Sequence, residues 1–134
     1  MGVFSVNINL SNWQNRFLPK ERQGAPVTCN ALVDTGAAEL ALPSDLIEKM
    51  KLEQVDTVHV ATADGSKHEY RIFGIAKLKV QGRKCQVRAI ELPYGTEPLL
   101  GAVPLEEMDL HVSPLEKKLI PNPKSPDRPL LPLY

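Results

Sequence analysis

The sequence has few residues that could build a metal site or a disulfide framework. Its 134 residues include two cysteines, Cys29 and Cys85, and three histidines. Because no Cys-x-x-Cys pair and no pair of histidines at helical spacing is present, we expect no metal site. The isolated cysteines favour two buried free thiols in strands over a disulfide.

An excess of charge of one sign is also missing. Lys plus Arg is 16 and Asp plus Glu is 16, so the net charge is zero with neutral His. Without a basic excess to neutralise phosphates, nucleic acid is not an expected partner. No apolar run approaches the length of a membrane span, and no polybasic stretch suggests a membrane surface. Residues 1–10 do not have the pattern of a signal peptide, so the sequence predicts a cytoplasmic protein.

What the sequence does contain is a series of short strand patterns. Alternating or apolar stretches between turn residues predict strands at 3–10, 27–34, 55–63, 67–72, 75–80 and 84–92, and a last strand pair at 110–112 and 118–120. Asp64-Gly65 is a strong signal for a hairpin turn, because both positions tolerate positive φ. Many short strands with turns between them predict an all-β domain, a small closed or folded-over β structure.

Helical patterns are limited to one or two short stretches. Ser44 is predicted to cap a helix over residues 45–51, and a second short helix is predicted near residues 104–108. Trp13 and Phe17 are four residues apart, which allows a helical contact, and we expect them to pack in the core.

The C-terminal region is rich in proline, at positions 121, 123, 126, 129 and 132. It cannot form a regular helix, so we predict one domain over residues 1–120 and an extended or disordered tail over residues 121–134. The acidic residues shortly before it, Glu106, Glu107 and Asp109, are predicted to form a solvated helix face.

One carboxylate has an unusual context. Three apolar residues lead into Asp34, which is followed by Thr35 and Gly36. A carboxylate at the end of a buried strand is costly unless it is satisfied or used, and the glycine lets the backbone turn sharply and another group approach. Asp-Thr-Gly alone would usually be a surface turn, since the motif is short. Asp56-Thr57 repeats its beginning without the glycine, and Asp56 is predicted to lie at a solvated strand edge.

Three segments in a fixed order are more specific than the motif alone. They are Leu-Val-Asp-Thr-Gly-Ala at 32–37 followed by Leu-Ala-Leu-Pro at 40–43, the hairpin at 60–72, and Leu-Leu-Gly at 99–101 before a short helix. In these segments the chain resembles the retropepsin-like aspartic proteases of clan AA, and most closely their bacterial type. The resemblance covers about residues 27–120. It implies an acid-protease β-barrel with one or two short helices, closed as a symmetric homodimer.

The resemblance also implies roles for the matching residues. Asp34 would be the catalytic carboxylate, and Thr35 would brace the two active-site loops across the two-fold axis. Gly36, with Ala37 beside it, would keep the loop open to an extended substrate. The other implied site residues are Ala63, Asp64, Gly65 and Ser66 in a flap over the substrate, and Leu99, Leu100 and Gly101, which support the pocket.

Peptide hydrolysis of this kind needs two carboxylates facing one water, and it needs no metal or cofactor. Since the chain has a single Asp-Thr-Gly, the simplest active form is a homodimer with Asp34 from each subunit, acting as an endopeptidase on a peptide or protein substrate. One alternative is a weakly active or inactive domain of the same fold that dimerises or binds peptides. Another is a monomeric peptide-binding β module. The complete Asp-Thr-Gly favours catalysis.

Overall fold

The computed structural model describes residues 4–131, so Val3, where the first strand was predicted to begin, and Pro132 lie outside the described residues. Nine strands and two α-helices make up most of this part of the chain. The strands are β1 Phe4–Asn12, β2 Val27–Val33, β3 Leu40–Pro43, β4 Glu53–Ala61, β5 Lys67–Val80, β6 Arg83–Leu92, β7 Leu99–Leu100, β8 Leu110–Ser113 and β9 Lys118–Pro121. The helices are α1 Ser44–Met50 and α2 Ala102–Glu107, and short 3-10 helices cover Trp13–Phe17 and Lys20–Arg22.

Six strands form a closed barrel. They follow the order β1-β2-β7-β3-β6-β5, and β5 pairs with β1 to complete the ring. The β2–β7 and β3–β6 pairs are parallel, whereas the other pairs in the ring are antiparallel. β4 joins the outer side of β5, and β8 and β9 form a separate hairpin. The all-β barrel with two short helices predicted from the sequence is therefore confirmed.

The barrel interior is filled by the apolar members of alternating strand patterns. In β1, Ile8 and Leu10 are buried while Asn7 and Asn9 face solvent, as the two-residue period of a strand requires. Each fully buried aliphatic side chain of this size stabilises the fold by about 1.5–3 kcal/mol. The largest fully buried side chains are those of Ile8, Leu10, Leu40, Leu42, Met50, Leu78, Val80, Leu100, Pro104 and Met108.

The start of α1 differs from the prediction. The helix begins at Ser44 itself, Pro43 occupies the cap position in an extended conformation, and no side chain caps the helix. The predicted capping role of Ser44 is therefore wrong, because Ser44 already has helical backbone geometry. Asp45 in the first turn instead accepts a hydrogen bond from the backbone N–H of Gly95 at 3.0 Å. This contact ties the loop before β7 to the start of α1.

The two strands predicted at 67–72 and 75–80 are one strand. β5 runs from residue 67 to residue 80, with a register shift against β6 between Phe73 and Ala76 and a cis peptide bond between Gly74 and Ile75. The register shift falls in the gap between the two predicted strands. Along its length β5 pairs with β1 and β6 in the barrel and with β4 in the β4–β5 hairpin.

The aromatic pair near the N-terminus packs outside the core. Trp13 and Phe17 lie edge to face with their ring centroids 5.3 Å apart, and the Arg16 guanidinium lies 5.0 Å from the Trp13 centroid. Phe17 is 67% exposed, so the predicted core packing is wrong for this residue. A short 3-10 helix on the surface brings the two rings together without burying them.

Both cysteines lie in strands as half-buried free thiols, Cys29 in β2 and Cys85 in β6. Burial raises the pKa of Cys29. Burial, and then the negative charge of Glu107, raise the pKa of Cys85 to about 12. Their placement agrees with the prediction of two thiols in strands.

The segment after β9 is hydrogen-bonded to the turn between α2 and β8. Asp109 is only 8% exposed, and its carboxylate accepts hydrogen bonds from the Ser125 hydroxyl, from Nδ2 of Asn122 at 2.8 Å and from the backbone N–H of Leu130 at 3.1 Å. The prediction that Asp109 lies on a solvated helix face is therefore wrong, because this carboxylate holds the proline-rich segment in place. The boundary at residues 120 and 121 stays a prediction.

The buried guanidinium of Arg83 makes the second connection. It donates to the carbonyl oxygens of Met108 at 3.3 Å and Asp109 at 2.9 Å, and also to that of Ser125. These carbonyls lie on the turn between α2 and β8 and on the C-terminal segment. Arg83 therefore joins β6, this turn and the segment in one hydrogen-bonded unit.

Candidate active site

Asp34 is the first residue after β2, at the point where the chain leaves the barrel. The preceding Val33 is buried, whereas Asp34 is partly exposed and Thr35 and Gly36 are exposed. One carboxylate oxygen of Asp34 accepts a hydrogen bond from the backbone N–H of Gly36 at 3.0 Å, and its backbone carbonyl accepts one from Ala37 at 3.1 Å. The loop itself therefore orients a solvent-accessible carboxylate.

The Asp34 loop is attached to β7 and α2 through its backbone. The N–H of Asp34 donates to the carbonyl oxygen of Leu100 at 3.1 Å, and the carbonyl oxygen of Ala37 accepts from the N–H of Ala102 at 2.8 Å. The carbonyl of the next residue, Ala38, accepts from the first turn of α2 in the same way. These bonds hold the Leu-Leu-Gly segment at 99–101 and the start of α2 against the Asp34 loop.

Gly101 is required for this close packing. A Cβ atom at this position would lie 2.4 Å from the carbonyl oxygen of Glu39 and 2.7 Å from that of Ala37. Leu99 and Leu100 precede it in β7, which pairs with β2 on one side and with β3 on the other. The structure therefore places Leu99, Leu100 and Gly101 next to the Asp34 loop, and their role in supporting the pocket stays a prediction.

The predicted flap is the β4–β5 hairpin. Its tip is exposed, and Gly65 has a φ of 86°, which favours glycine. The Asp64 carboxylate accepts hydrogen bonds from the Thr62 hydroxyl at 2.5 Å and from the Ser66 N–H at 2.9 Å. Together these bonds lower the pKa of Asp64 to about 2, and the bond from Thr62 has a larger effect than those from Ser66. Ala63 is also exposed at this tip, so all four predicted flap residues lie together.

An ion pair that the sequence patterns did not predict links the β4–β5 hairpin to β6. Arg71 in β5 donates two hydrogen bonds to the carboxylate of Glu91, at 2.8 Å and 2.7 Å, and its guanidinium lies 5.2 Å from the Phe73 ring centroid. The carboxylate raises the pKa of Arg71. A second pair joins Arg88 to Asp56 in β4 at 3.3 Å. No local pattern could have identified these pairs, because strand register alone brings the partners together.

Residues 4–131 contain no group of three or more His, Cys, Asp or Glu side chains that could hold a metal ion. In the same part of the chain, no helix is long and apolar enough to cross a membrane.

A closed six-stranded barrel, in which an Asp-Thr-Gly loop is packed against and hydrogen-bonded to a Leu-Leu-Gly segment, defines a retropepsin-like aspartic protease. A family model described as "gag-polyprotein putative aspartyl protease" matches residues 23–107, and the chain belongs to this family of aspartyl proteases. The prediction of the bacterial type stays a prediction.

A solved structure supports the same fold. The solution structure of the simian foamy virus (mac) protease matches with a TM-score of 0.52 and 20% sequence identity, over 76% of this chain and 91% of that chain. At 20% sequence identity, this similarity is evidence for the fold alone. No curated protein sequence matches the chain significantly.

Proposed function

We propose that this protein is an aspartic endopeptidase whose active form is a homodimer with one Asp34 carboxylate from each subunit. The observation that carries the proposal is the Asp34 loop. It presents an accessible carboxylate at the end of a barrel strand, oriented by the Gly36 N–H and supported by β7. Membership of the aspartyl protease family supports the same assignment.

The chemistry requires two carboxyl groups that share one proton. Two carboxylates held close together cannot both ionise cheaply, so one is protonated and the other is ionised. The ionised group accepts a proton from the attacking water while the protonated group hydrogen-bonds to the scissile carbonyl oxygen. The water oxygen bonds to the carbonyl carbon. When the C–N bond breaks, the leaving amine takes a proton from a carboxyl group, which restores the starting state.

The chain supplies one half of this arrangement. It contains a single Asp-Thr-Gly, and Asp34 and Thr35 are accessible on the surface of one chain. A symmetric dimer would place the second carboxylate opposite the first and let Thr35 brace the two loops. The β4–β5 hairpin, with Asp64, Gly65 and Ser66 at its tip, would close over an extended peptide and exclude water from it.

The test compares Asp34→Asn with the wild type in cleavage of an unstructured protein at mildly acidic pH. Asp56→Asn is the matched control, because Asp56 is an exposed Asp followed by Thr but lies in β4. We expect Asp34→Asn to abolish cleavage and Asp56→Asn to retain it, with both variants dimeric in sedimentation. A transition-state mimic such as pepstatin is expected to inhibit the wild type. Equal cleavage by wild type and Asp34→Asn would refute the assignment, and a dimer without any cleavage would support a binding domain.

A further inference from the structure

A small pocket on the outer face of the barrel is lined by three positively charged side chains. It lies between β5, β6 and the 3-10 helix Trp13–Phe17, and its volume is about 190 Å³. The residues that line it are Arg16, Lys77, Lys84, Cys85 and Gln86. Among residues 4–131, no Asp or Glu side chain lines this pocket, which we call the basic pocket. Since a water molecule occupies about 30 Å³ in the liquid, the basic pocket has room for a small anion and several waters.

The strand register leaves the lysines of β5 without an acidic neighbour. Lys77 and Lys79 face outward from β5, because the residues that alternate with them are buried. The residues directly opposite them on the neighbouring strands are Asn9 and Ser11 in β1 and Lys84 and Gln86 in β6. These four neighbours are neutral or basic, so this part of the sheet concentrates positive charge although the net charge of the chain is zero.

The three cations of the basic pocket also take no part in the ion pairs of the structure. Within the described part of the chain, the cations that form ion pairs are Arg71, Arg83, Arg88 and Lys118. Arg16, Lys77 and Lys84 belong to none of these pairs. Lys84 instead lies directly opposite Lys79, and like charges in this arrangement destabilise a sheet. A bound anion would offset the repulsion between them.

Arg16 is held at the edge of the basic pocket by its own short helix. Its guanidinium lies 5.0 Å from the centroid of the Trp13 ring, which is a cation–π distance. The helix is fixed at its start by the buried side chain of Asn12, which accepts a hydrogen bond from the N–H of Gln14 at 2.9 Å and donates one to the carbonyl oxygen of Lys51 at 3.0 Å. A cation that is held in this way loses less conformational entropy when a ligand binds, which increases affinity.

We propose that the basic pocket binds a phosphate group, either free or carried by a peptide side chain. Phosphate suits these donors better than a carboxylate does, because it carries a charge of about −1.5 to −2 at pH 7 and the pocket offers three positive charges. The guanidinium of Arg16 can donate two parallel hydrogen bonds to phosphate oxygens, and the ammonium groups of Lys77 and Lys84 add compact charges. The proposal does not rest on the protease assignment, since the basic pocket shares no lining residue with the pocket lined by Thr35.

The first experiment titrates the isotopically labelled full chain with sodium phosphate and follows the amide chemical shifts by NMR. The buffer is kept above about pH 7, because the second pKa of a phosphate group is about 6. We expect saturable shifts at the amides of Arg16, Lys77 and Lys84. Sodium chloride at the same ionic strength screens exposed charges in general and should give no saturable shift at these amides.

The second experiment repeats the titration with the double variant Lys77→Gln/Lys84→Gln. We expect the dissociation constant for inorganic phosphate to rise at least about tenfold, as for the loss of charge-assisted hydrogen bonds. Lys49→Gln/Lys118→Gln is the matched control, since it removes the same charge at two exposed positions outside the pocket and should leave the affinity unchanged. Without phosphate, the urea midpoint of the pocket variant should equal or exceed that of the wild type, because the repulsion from Lys79 is removed. Weaker binding can then not be attributed to a loss of folding.

A third experiment distinguishes the two sources of the phosphate group. A short peptide with one phosphoserine and its serine counterpart are each titrated into the full chain carrying Asp34→Asn, so that neither peptide is cleaved. Binding of the phosphoserine peptide alone would support a phosphate group carried by a protein, and binding of inorganic phosphate without either peptide would support the free anion. If phosphate shifts these amides no more than chloride does, or if the control double variant weakens binding as much as the pocket variant, the lysines form only a solvated basic face and the proposal is wrong.

Discussion

The backbone N–H of Asp34 donates a hydrogen bond to the carbonyl oxygen of Leu100 at 3.1 Å. Leu100 is fully buried, so this bond connects the proposed catalytic residue directly to the core. Because core side chains are close-packed, β7 can move little, and the position of the Asp34 loop is fixed with it. Changes beneath the loop should therefore affect stability and catalysis together.

The first prediction concerns Gly101→Ala. The new Cβ would lie 2.4 Å from the carbonyl oxygen of Glu39, an atom of the backbone, so the loop must shift. We expect a loss of about 3 kcal/mol or more in the free energy of unfolding, and loss of cleavage, since overpacking forces backbone movement. Urea unfolding and the cleavage assay measure the two effects.

Gly82→Ala is the control for Gly101→Ala. Gly82 has a φ of +82°, but a Cβ there would meet no atom within 4 Å. The substitution should cost only the strain of a left-handed alanine, about 1 kcal/mol, and leave cleavage intact. If Gly101→Ala is as stable and as active as this control, the supporting role of Gly101 is wrong.

The parts of the fold that could be predicted from the sequence are those that depend on local patterns. The strand that ends at Asp34 and the turn at Asp64-Gly65 follow from side-chain alternation and turn chemistry within a few residues. Asp109 illustrates the opposite case. Its neighbours in the sequence suggest a solvated acidic cluster, whereas its hydrogen-bond donors are Ser125 and Leu130, 16 and 21 residues further along the chain. Such a contact follows from the tertiary fold, for which the local sequence gives no signal.

The second prediction concerns the pH dependence that Asp109 gives to stability. The Ser125 hydroxyl, then the Asn122 amide and the Leu130 N–H, lower the pKa of Asp109 to about 2. In the unfolded chain an Asp has a pKa of about 3.9. The folded state therefore gains stability from ionised Asp109 above about pH 4 and loses it as the pH falls towards 2. Asp109→Asn should lower the urea midpoint at pH 7, and the difference from the parent should shrink between pH 4 and pH 2.

Asp56→Asn is the matched control for this pH series. Asp56 is exposed and pairs with Arg88 at the surface, so its replacement should leave the urea midpoint nearly unchanged. The parent and both variants, Asp109→Asn and Asp56→Asn, would also carry Asp34→Asn, so that self-cleavage at acidic pH does not affect the measurement. A gap between Asp109→Asn and the parent that stays constant from pH 7 to pH 2 would contradict the role of the carboxylate charge.

The third prediction concerns Arg83→Met. The substitution keeps an apolar chain of similar length but removes the donors to the buried carbonyl oxygens of Met108, Asp109 and Ser125. We expect a loss of about 3 kcal/mol in the free energy of unfolding, because buried acceptors are left unsatisfied. Arg88→Met removes only an exposed ion pair and should cost less than about 1 kcal/mol. Equal urea midpoints for the two variants would show that Arg83 does not hold the C-terminal segment.

The last prediction concerns the tip of the β4–β5 hairpin, the proposed flap, in which Asp64 accepts hydrogen bonds from Thr62 and Ser66. Asp64→Ala removes both bonds from an exposed turn, so global stability should change little while the tip becomes more mobile. We expect the amide of Ser66 to exchange about fivefold faster, and KM for an unstructured substrate to rise with a smaller change in kcat, because the tip would bind the peptide less tightly. Asp64→Asn retains one acceptor oxygen and should lie between the wild type and Asp64→Ala in both measurements. Faster exchange at Ser66 with unchanged KM would mean that the tip does not contact the substrate.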